Sequence, residues 1–573
     1  MRTANNDRWH FTVQTSSQGN SYVYAYQTKW DPVSKTSRRC SKRYVGRLAN
    51  DGRVNISDKF AKDFPEYSQG DFYYGADKEL VDEATYRHDF PAKNVSDTTE
   101  DNAEDDTRSA GLTWAIEQIA IDSGLLEDLT AVFKQDARDL LHLAIYKLDG
   151  GRSMAAYDDW RRSVYLRQAR CLSSQRISEI LSRVTQKQFE DFFCLRHKRK
   201  LGETDSAVHY ALDNTSISTY SETIEDAAFG HAKRDPQLKQ INYTFVSDQK
   251  TGDIVFAHTY EGSINDVVAL KEVLYHMQSA GLDLEKVVLV TDRGYCSLLN
   301  VQKMLNLNLK FIQGVRLTED SIKRNLDRYR EALRDVSFYD SDLNVYDRSI
   351  KEPWTQNADT GRVTGRVYCD VFQHLYRFPG EDEAAMRSIV TEVNAVLDTL
   401  AKGSSVAPDT WRNCQRFLRC SKDKKTWTRN DEAIRRAIRY AGTFVIRSNV
   451  QADPFRALEA YRMRSVVEMD FEQFKNWVDG DRLRCTQSSY LGKLFICTIA
   501  TSLRLMMLRR AHDNESAEVK IPFNSMDCLM AKLRSLKADK RRTANAWILR
   551  VISKKQRELL SLLSVDLPPK VLR

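Results

Sequence analysis

Along residues 9–48 apolar and polar positions alternate with a period of two, with Tyr22, Tyr24 and Tyr26 on one side of the alternation. A polar stretch around Asp31 to Arg39 and a second run from Arg43 to Leu48 complete the pattern of paired strands, so residues 1–92 are expected to form an N-terminal β-rich unit. Residues 93–110 carry no apolar period and concentrate acidic side chains, which predicts a solvated linker. From 111 to about 204 the period lengthens. Leu125, Leu129, Val132 and Phe133, then Leu140, Leu141, Ala144 and Leu148, recur at helical spacing, and Ser173-Ser174-Gln175-Arg176-Ile177 reads as a helix start.

At Ala207 the pattern changes again. Short β-rich runs at 208–213, 241–246 and 254–258 precede a helical stretch at 266–279 and further runs at 287–292 and 311–315, an α/β layer order. Residues 318–439 interrupt it with a charged helical run, β-like pieces at 361–372 and a helical stretch at 382–400, and are expected to form a separate insertion. The run at 444–446 and a strongly helical segment at 457–478 resume the α/β alternation. A buried helix at 494–508 and a basic helical region, within 481–573, close the chain.

Composition adds little to this picture except through charge. With 573 residues, 42% hydrophobic and 29% charged, the chain can bury several cores, and length alone suggests roughly four domains. The longest nearly uncharged apolar stretch, 494–503, is about half a membrane span, and the N-terminus has no apolar signal core, so a soluble, cytoplasmic protein without membrane contact is expected. Ten cysteines at irregular spacing, the closest pair being Cys414 and Cys420, show no zinc pattern and read as buried free thiols.

The net charge of +8 is unevenly spread: residues 501–573 hold 16 Lys/Arg against 7 Asp/Glu, leaving the first 500 residues near neutrality. A basic excess on one segment is a footprint for a polyanion, most often nucleic acid. Basic and aromatic residues also interleave at Lys29, Trp30, Lys35, Arg38, Arg39, Lys42, Arg43 and Tyr44, and the helical region ends in Arg196-His197-Lys198-Arg199-Lys200. The N-terminal unit, the 111–204 region and the C-terminal region are therefore candidate DNA-binding parts.

The candidate chemistry lies in three carboxylates. Asp213 and Asp292 each close a predicted strand, and carboxyl ends of strands face the binding crevice of an open α/β sheet. On the helical segment 457–478, at about 100° per residue, Tyr461, Arg464, Glu468 and Lys475 share one stripe, while Met463, Val466, Val467, Phe471, Phe474 and Trp477 cover the other faces. Three carboxylates suit two Mg²⁺ ions, and Arg464 and Lys475 suit phosphates, which together imply phosphodiester cleavage and transfer. No phosphate-binding GxxxxGK[ST] loop, GxGxxG, HExxH or GxSxG is present, so ATP or nicotinamide dependence is not expected.

Tyr461-x2-Arg464-x3-Glu468-x6-Lys475 resembles the signature of the DDE transposases of one large group of bacterial insertion sequences. Asp213-Asn214-Thr215 and Asp292-Arg293-Gly294-Tyr295 resemble that group's first and second acidic motifs. The resemblance implies a ribonuclease-H-like catalytic core over 205–317 and 440–480, with Asp213 on the first strand, Asp292 on the fourth and Glu468 on a later helix. It implies Mg²⁺, replaceable by Mn²⁺, held by those three residues, and DNA contacts from Tyr461, Arg464, Lys475, Thr215, Arg293 and Tyr295. It also implies cut-and-paste movement of an element bounded by inverted repeats, by a homodimer acting on double-stranded end and target DNA in the bacterial nucleoid. In relatives a largely β insertion between the second Asp and the Glu can hold a flipped base against a tryptophan, and Trp354, Trp411 and Trp427 lie in that stretch. An inactive or domesticated DNA-binding descendant, and a ribonuclease-H-like nuclease that does not join strands, are the alternatives.

Overall fold

The computed structural model describes residues 9–15, 21–31, 36–49, 53–75, 77–83, 85–86, 106–230, 235–360, 363–422, 426–540 and 546–572, and the chain divides into two units at residues 104/105. In the first unit the period-two pattern becomes a four-stranded antiparallel sheet of His10–Thr15, Ser21–Asp31, Thr36–Leu48 and Val54–Ile56. Val23, Ala25 and Val45 are fully buried on one face, where Phe60 joins them from the short helix Asp58–Asp63. The tyrosines take the opposite face, as alternation requires. There Arg39 lies over Tyr26 at 4.4 Å and Lys42 over Tyr24 at 4.0 Å. The side chains of Trp30, Lys35 and Arg38 lie outside the described residues.

Residues 93–105 of the acidic linker also lie outside the described residues, but its last part is not linker. Asp106–Ser109 is a strand paired with Lys537–Lys540, in a small sheet completed by Trp547–Leu549 and Val571–Leu572. The partner that satisfies its backbone comes from more than 400 residues away, which no local pattern reveals.

The second unit is organised on a ten-stranded mixed sheet. Its strands are β1 (Val208–Thr219), β2 (Lys239–Asp248), β3 (Ile254–Glu261), β4 (Val287–Thr291), β5 (Lys310–Gly314), β6 (Tyr339–Asp340), β7 (Val345–Thr360), β8 (Val363–Arg377), β9 (Thr443–Ser448) and β10 (Arg482–Leu483). The spatial order is β3-β2-β1-β4-β5-β9-β8-β7-β6, with β10 also alongside β1. β1, β2 and β3 are antiparallel, β1, β4 and β5 are parallel, and β9 runs antiparallel to β5.

The insertion is thus not a separate unit throughout. β8 pairs with β9 from Phe372↔Ser448 to Arg377↔Thr443, so the hairpin β7–β8 extends the main sheet, because β9 would otherwise leave an unpaired edge. Only the helices Glu381–Ala401, Pro408–Cys414 and Asp431–Ala437, with the small hairpin Leu418–Cys420 and Trp427–Arg429, form a satellite core around Val393, Val396, Phe417 and Ile434.

Six helices matter below: α1 (Gln186–Gly202), α2 (Asp266–Ser279), α3 (Leu298–Asn306), α4 (Pro454–Arg462), α5 (Ser465–Glu472) and α6 (Tyr490–Asp513). α6 is long and apolar enough to span a membrane by length and composition, but its apolar window is 83% buried in protein. It packs against the helices of 111–182, so this helical region shares one core with the sheet rather than standing as its own domain.

That shared core absorbs the basic runs. Arg196 and Arg199 bind Asp128, His197 is fully buried between the Tyr210 hydroxyl (3.0 Å) and the Asp283 carbonyl (2.9 Å), and Lys200 bonds Glu203 and Thr251. Four residues of the 196–200 run therefore fasten α1 to the helix Leu125–Phe133 and to the sheet, and Lys198 alone of the five is exposed. In the C-terminal region Arg504 pairs internally with Asp527, while Arg509, Arg510 and Arg534 pair with Asp253, Asp122 and Asp149, so part of the segment's excess charge is balanced by acids elsewhere. The cysteines divide: Cys194, Cys296, Cys414 and Cys497 are buried, whereas Cys40, Cys171 and Cys420 are exposed free thiols.

Candidate active site

The register of the sheet brings the two aspartates together. β1 and β4 run parallel with Leu212 opposite Thr291, so Asp213 and Asp292 are the next residues on neighbouring strands, which lie about 4.8 Å apart. Asp213 does not close its strand as the apolar run suggested. β1 continues through the polar Asn214-Thr215-Ser216 to Thr219 because β2 keeps pairing with it, Asn214 opposite Thr244. What ends at Thr291 is β4, and Asp292 turns the chain into the single turn Arg293–Tyr295.

Glu468 arrives from α5, but not on one continuous helix. At Met463 and Arg464 the α-helical pattern gives way to i→i+3 bonds, Arg464 N–H to Tyr461 O and Val467 N–H to Arg464 O (both 3.1 Å), and a π-helical turn follows at Gln473–Trp477. Such interruptions concentrate at functional sites. They also defeat a strict 100° count: Met463 and Trp477, assigned to the buried faces, are 49% and 44% exposed. Lys475 is partly buried within the π-helical turn.

Arg464 joins the carboxylates. Its guanidinium donates to Glu468 Oε1 at 2.8 Å and lies 3.6 Å from Asp213 Oδ2, with its side chain only 14% exposed. Tyr461 donates to Asp292 Oδ1 at 2.9 Å, and burial together with that carboxylate keeps its hydroxyl protonated far above neutral pH. Burial raises the Asp213 carboxyl to about 6, against the lowering effects of the Asn214 amide and Arg464, and Asp292 and Glu468 push it further up. The site therefore holds more negative charge than one arginine balances.

Around these residues lies a supporting set that the sequence pattern did not single out. Asn214 accepts from Thr244 and donates to Asp266 Oδ1 at 3.1 Å, placing a fourth carboxylate beside the site at the start of α2. Arg316 donates to the carbonyls of Arg293 and Gly294, fixing the turn after Asp292. The only sequence hint of Asp266 is the helix-start pair Asn265-Asp266, where the Asn265 side chain accepts from Val268 N–H. Arg316 carries no signal, since its role depends on the pairing of β4 with β5.

Other expected DNA contacts fall elsewhere. Thr215 and Tyr295 are buried, at 7% and 1% exposure, and Tyr295 packs in the core beneath the carboxylates, so neither presents a surface to DNA; Arg293 is exposed. Of the three tryptophans, Trp354 packs on the core, donating to Gln302 Oε1 at 3.3 Å beneath the Arg447 guanidinium. Trp411 and Trp427 meet edge to face at 5.1 Å in the satellite core. Each is held by protein partners.

The pattern of the transposase DDE domain family matches residues 205–503. No curated protein matches the chain. Among solved structures, a piggyBac transposase synaptic complex with hairpin DNA is similar at 11% identity and a TM-score of 0.35, over 74% of this chain and 76% of that one.

Proposed function

The chain belongs to the transposase DDE domain family, whose enzymes generally use divalent metal ions, and we propose that it cuts and pastes a bacterial insertion sequence, cleaving DNA at the element's inverted-repeat ends and joining them to a target. The single observation that carries this reading is the convergence of Asp213, Asp292 and Glu468 around Arg464. The strand order β3-β2-β1-β4-β5, antiparallel then parallel, supports a ribonuclease-H-like core over 205–317 and 440–480.

The residues present fit a divalent metal. Their donors are hard carboxylate oxygens, and three carboxylates converge on the single guanidinium of Arg464. Mg²⁺ is the proposed ion, Mn²⁺ its substitute, and Asp213, Asp292 and Glu468 the ligands. Bound there, two such ions would activate a water or 3′-hydroxyl and stabilise the leaving oxygen. The protein's own groups orient and neutralise. Tyr461 donates a hydrogen bond that fixes the rotamer of Asp292, and Arg464 offsets the charge of Asp213 and Glu468. Arg464, Arg293 and Lys475 are proposed to meet DNA phosphates, whereas Tyr461 acts by positioning Asp292. The N-terminal unit and the C-terminal region are proposed to bind the element's ends, as a homodimer on nucleoid DNA.

The test is to look for joined product. Incubated with DNA carrying the gene's native flanks, a target plasmid and Mg²⁺, the protein should yield molecules whose element 3′ end is covalently joined to target. Asp213→Ala, Asp292→Ala and Glu468→Ala should yield none while still binding DNA. Cleaved but never joined ends would replace the transposition reading with that of a nuclease, and binding without cleavage would replace it with that of an inactive descendant.

A further inference from the structure

At the end of the sheet where Asp292 follows β4, a cleft of about 610 Å³ opens between the satellite helices and the strands. Six guanidiniums line it, those of Arg330, Arg334, Arg377, Arg435, Arg436 and Arg439, against the three carboxylates of Asp382, Glu383 and Glu432. The arginines come from separate stretches of chain: the loop after Asp320–Arg328, the end of β8, and the helix Asp431–Ala437 with the turn beyond it. All except Arg377 are solvent-exposed. The carboxylates are outnumbered even after pairing. Asp382 is shared by Arg377 at 3.0 Å and Arg334 at 3.7 Å, Glu432 by Arg436 at 3.6 Å and by Arg419 from outside the cleft at 3.1 Å, Arg439 is held by Asp327 from outside the lining at 2.8 Å, and Arg330 spends a donor on the Arg439 carbonyl.

Like charges gathered in a concave site raise the local potential and draw a polyanion. Planar guanidiniums match phosphate oxygens two at a time. The strand register fixes where such a polyanion would lie. Asp292 follows β4, and Gly314 ends the parallel β5 opposite Ile446 of β9. Two residues toward the start of β9, the Phe444 ring packs on Tyr461 at 4.9 Å, and the adjacent Thr443 lines the cleft. Phe444 and Thr443 point to opposite faces of β9, so the support of Asp292 and the arginine cleft flank the same end of the sheet from its two faces.

We propose that this cleft is a second DNA-binding site, a clamp for the phosphate backbone of duplex DNA on its way into or out of the catalytic site. It rests on the transposase reading for the identity of the polyanion, although the excess of guanidiniums does not depend on it. The clamp contacts phosphates, so it adds affinity without sequence preference.

The test uses the full chain and duplexes taken from the gene's flanks or of unrelated sequence. Arg330→Gln/Arg435→Gln and the charge reversal Arg330→Glu/Arg435→Glu change exposed side chains, and unaltered thermal unfolding would verify their fold. The Kd for both duplexes should rise about tenfold or more, and the slope of log K against log salt should shrink by about 1.8 for two lost phosphate contacts. Unchanged Kd and unchanged slope in the charge-reversed variant would overturn the clamp. Repeating the titrations with Asp292→Ala separates the two claims. Wild-type protein that never cleaves while the arginine variants lose binding would sink the transposase reading and leave the clamp standing. Wild-type cleavage with arginine variants that bind normally would sink the clamp alone.

Discussion

Gly314, the last residue of β5, sits against the support of Asp292, and adding one methyl group there should slow cleavage from outside the carboxylate cluster. A Cβ at Gly314 would lie 2.7 Å from Tyr461 Oη, 3.0 Å from its Cε2 and 3.1 Å from Arg293 N. Reaching the 3.4 Å of ordinary contact requires the hydroxyl to retreat 0.7 Å, and that hydroxyl is the one bonded to Asp292 at 2.9 Å. A hydrogen bond to a charged group contributes about 1.5–3 kcal/mol, so losing it in the transition state predicts cleavage slowed by about 10- to 150-fold. Overpacking should also cost about 1–3 kcal/mol of stability. Single-turnover cleavage of flank-bearing DNA, with Kd and thermal midpoint followed on the same preparation, is the assay. Gly314→Ala should bind DNA as wild type does and cleave slowly. Because Tyr461→Phe deletes the atom in the closest contact, Gly314→Ala should cost less on that background. Cleavage by Gly314→Ala at the wild-type rate, or strictly additive effects in the double variant, would refute the chain of contacts from Gly314 through Tyr461 to Asp292.

Arg464→Lys replaces a fork reaching Asp213 and Glu468 with a single point charge, and should lower the cleavage rate by about tenfold or more while the protein stays folded, as measured by single-turnover kinetics and circular dichroism. Asp128→Ala leaves Arg196, only 10% exposed, without its carboxylate, and should destabilise the second unit by about 3–5 kcal/mol in denaturant titration; a loss under 1 kcal/mol would show the pair to be incidental. Burial and the neighbouring His276 lower His258 to about 3, so the unfolded chain binds a proton below pH 6.5 that the folded one refuses. Stability from this residue is present above pH 6.5 and falls by about 1.4 kcal/mol per pH unit toward pH 3. His258→Phe should flatten the acid side of the pH–stability curve, and parallel curves for both proteins would reject this assignment.

Legibility in the sequence followed how far each signal reaches along the chain. The helix start at Ser173 was readable because capping is local: its hydroxyl accepts from Arg176 N–H three residues on. The strands that carry Asp213 and Asp292 were readable from apolar runs, and the paired strands of the N-terminal unit from their period-two alternation with one face buried. Pairing was not readable. Asp213 lies in mid-strand because β2 continues past it, and the β7–β8 hairpin joined the sheet because β9 offers an edge far away in sequence. Charge counted by segment misled for the same reason, since Arg196, Arg199 and Arg510 find carboxylates at Asp128 and Asp122 that only folding brings near. Within the site, spacing alone aligned Tyr461, Arg464 and Glu468. That Tyr461 serves Asp292, and that Asn214, Asp266 and Arg316 stand behind the cluster, follows from strand order and loop closure.

The most direct measurement compares wild type with Glu468→Gln on a plasmid carrying the gene's native flanks, in Mg²⁺ and in EDTA. Glu468 is 56% exposed, so the substitution removes a charge without disturbing the core. Breaks at the element ends for wild type in Mg²⁺, with none in EDTA and none for Glu468→Gln, are the expected result. Cleavage that persists in EDTA, or that Glu468→Gln performs at the wild-type rate, would contradict a metal-dependent site built from Asp213, Asp292 and Glu468.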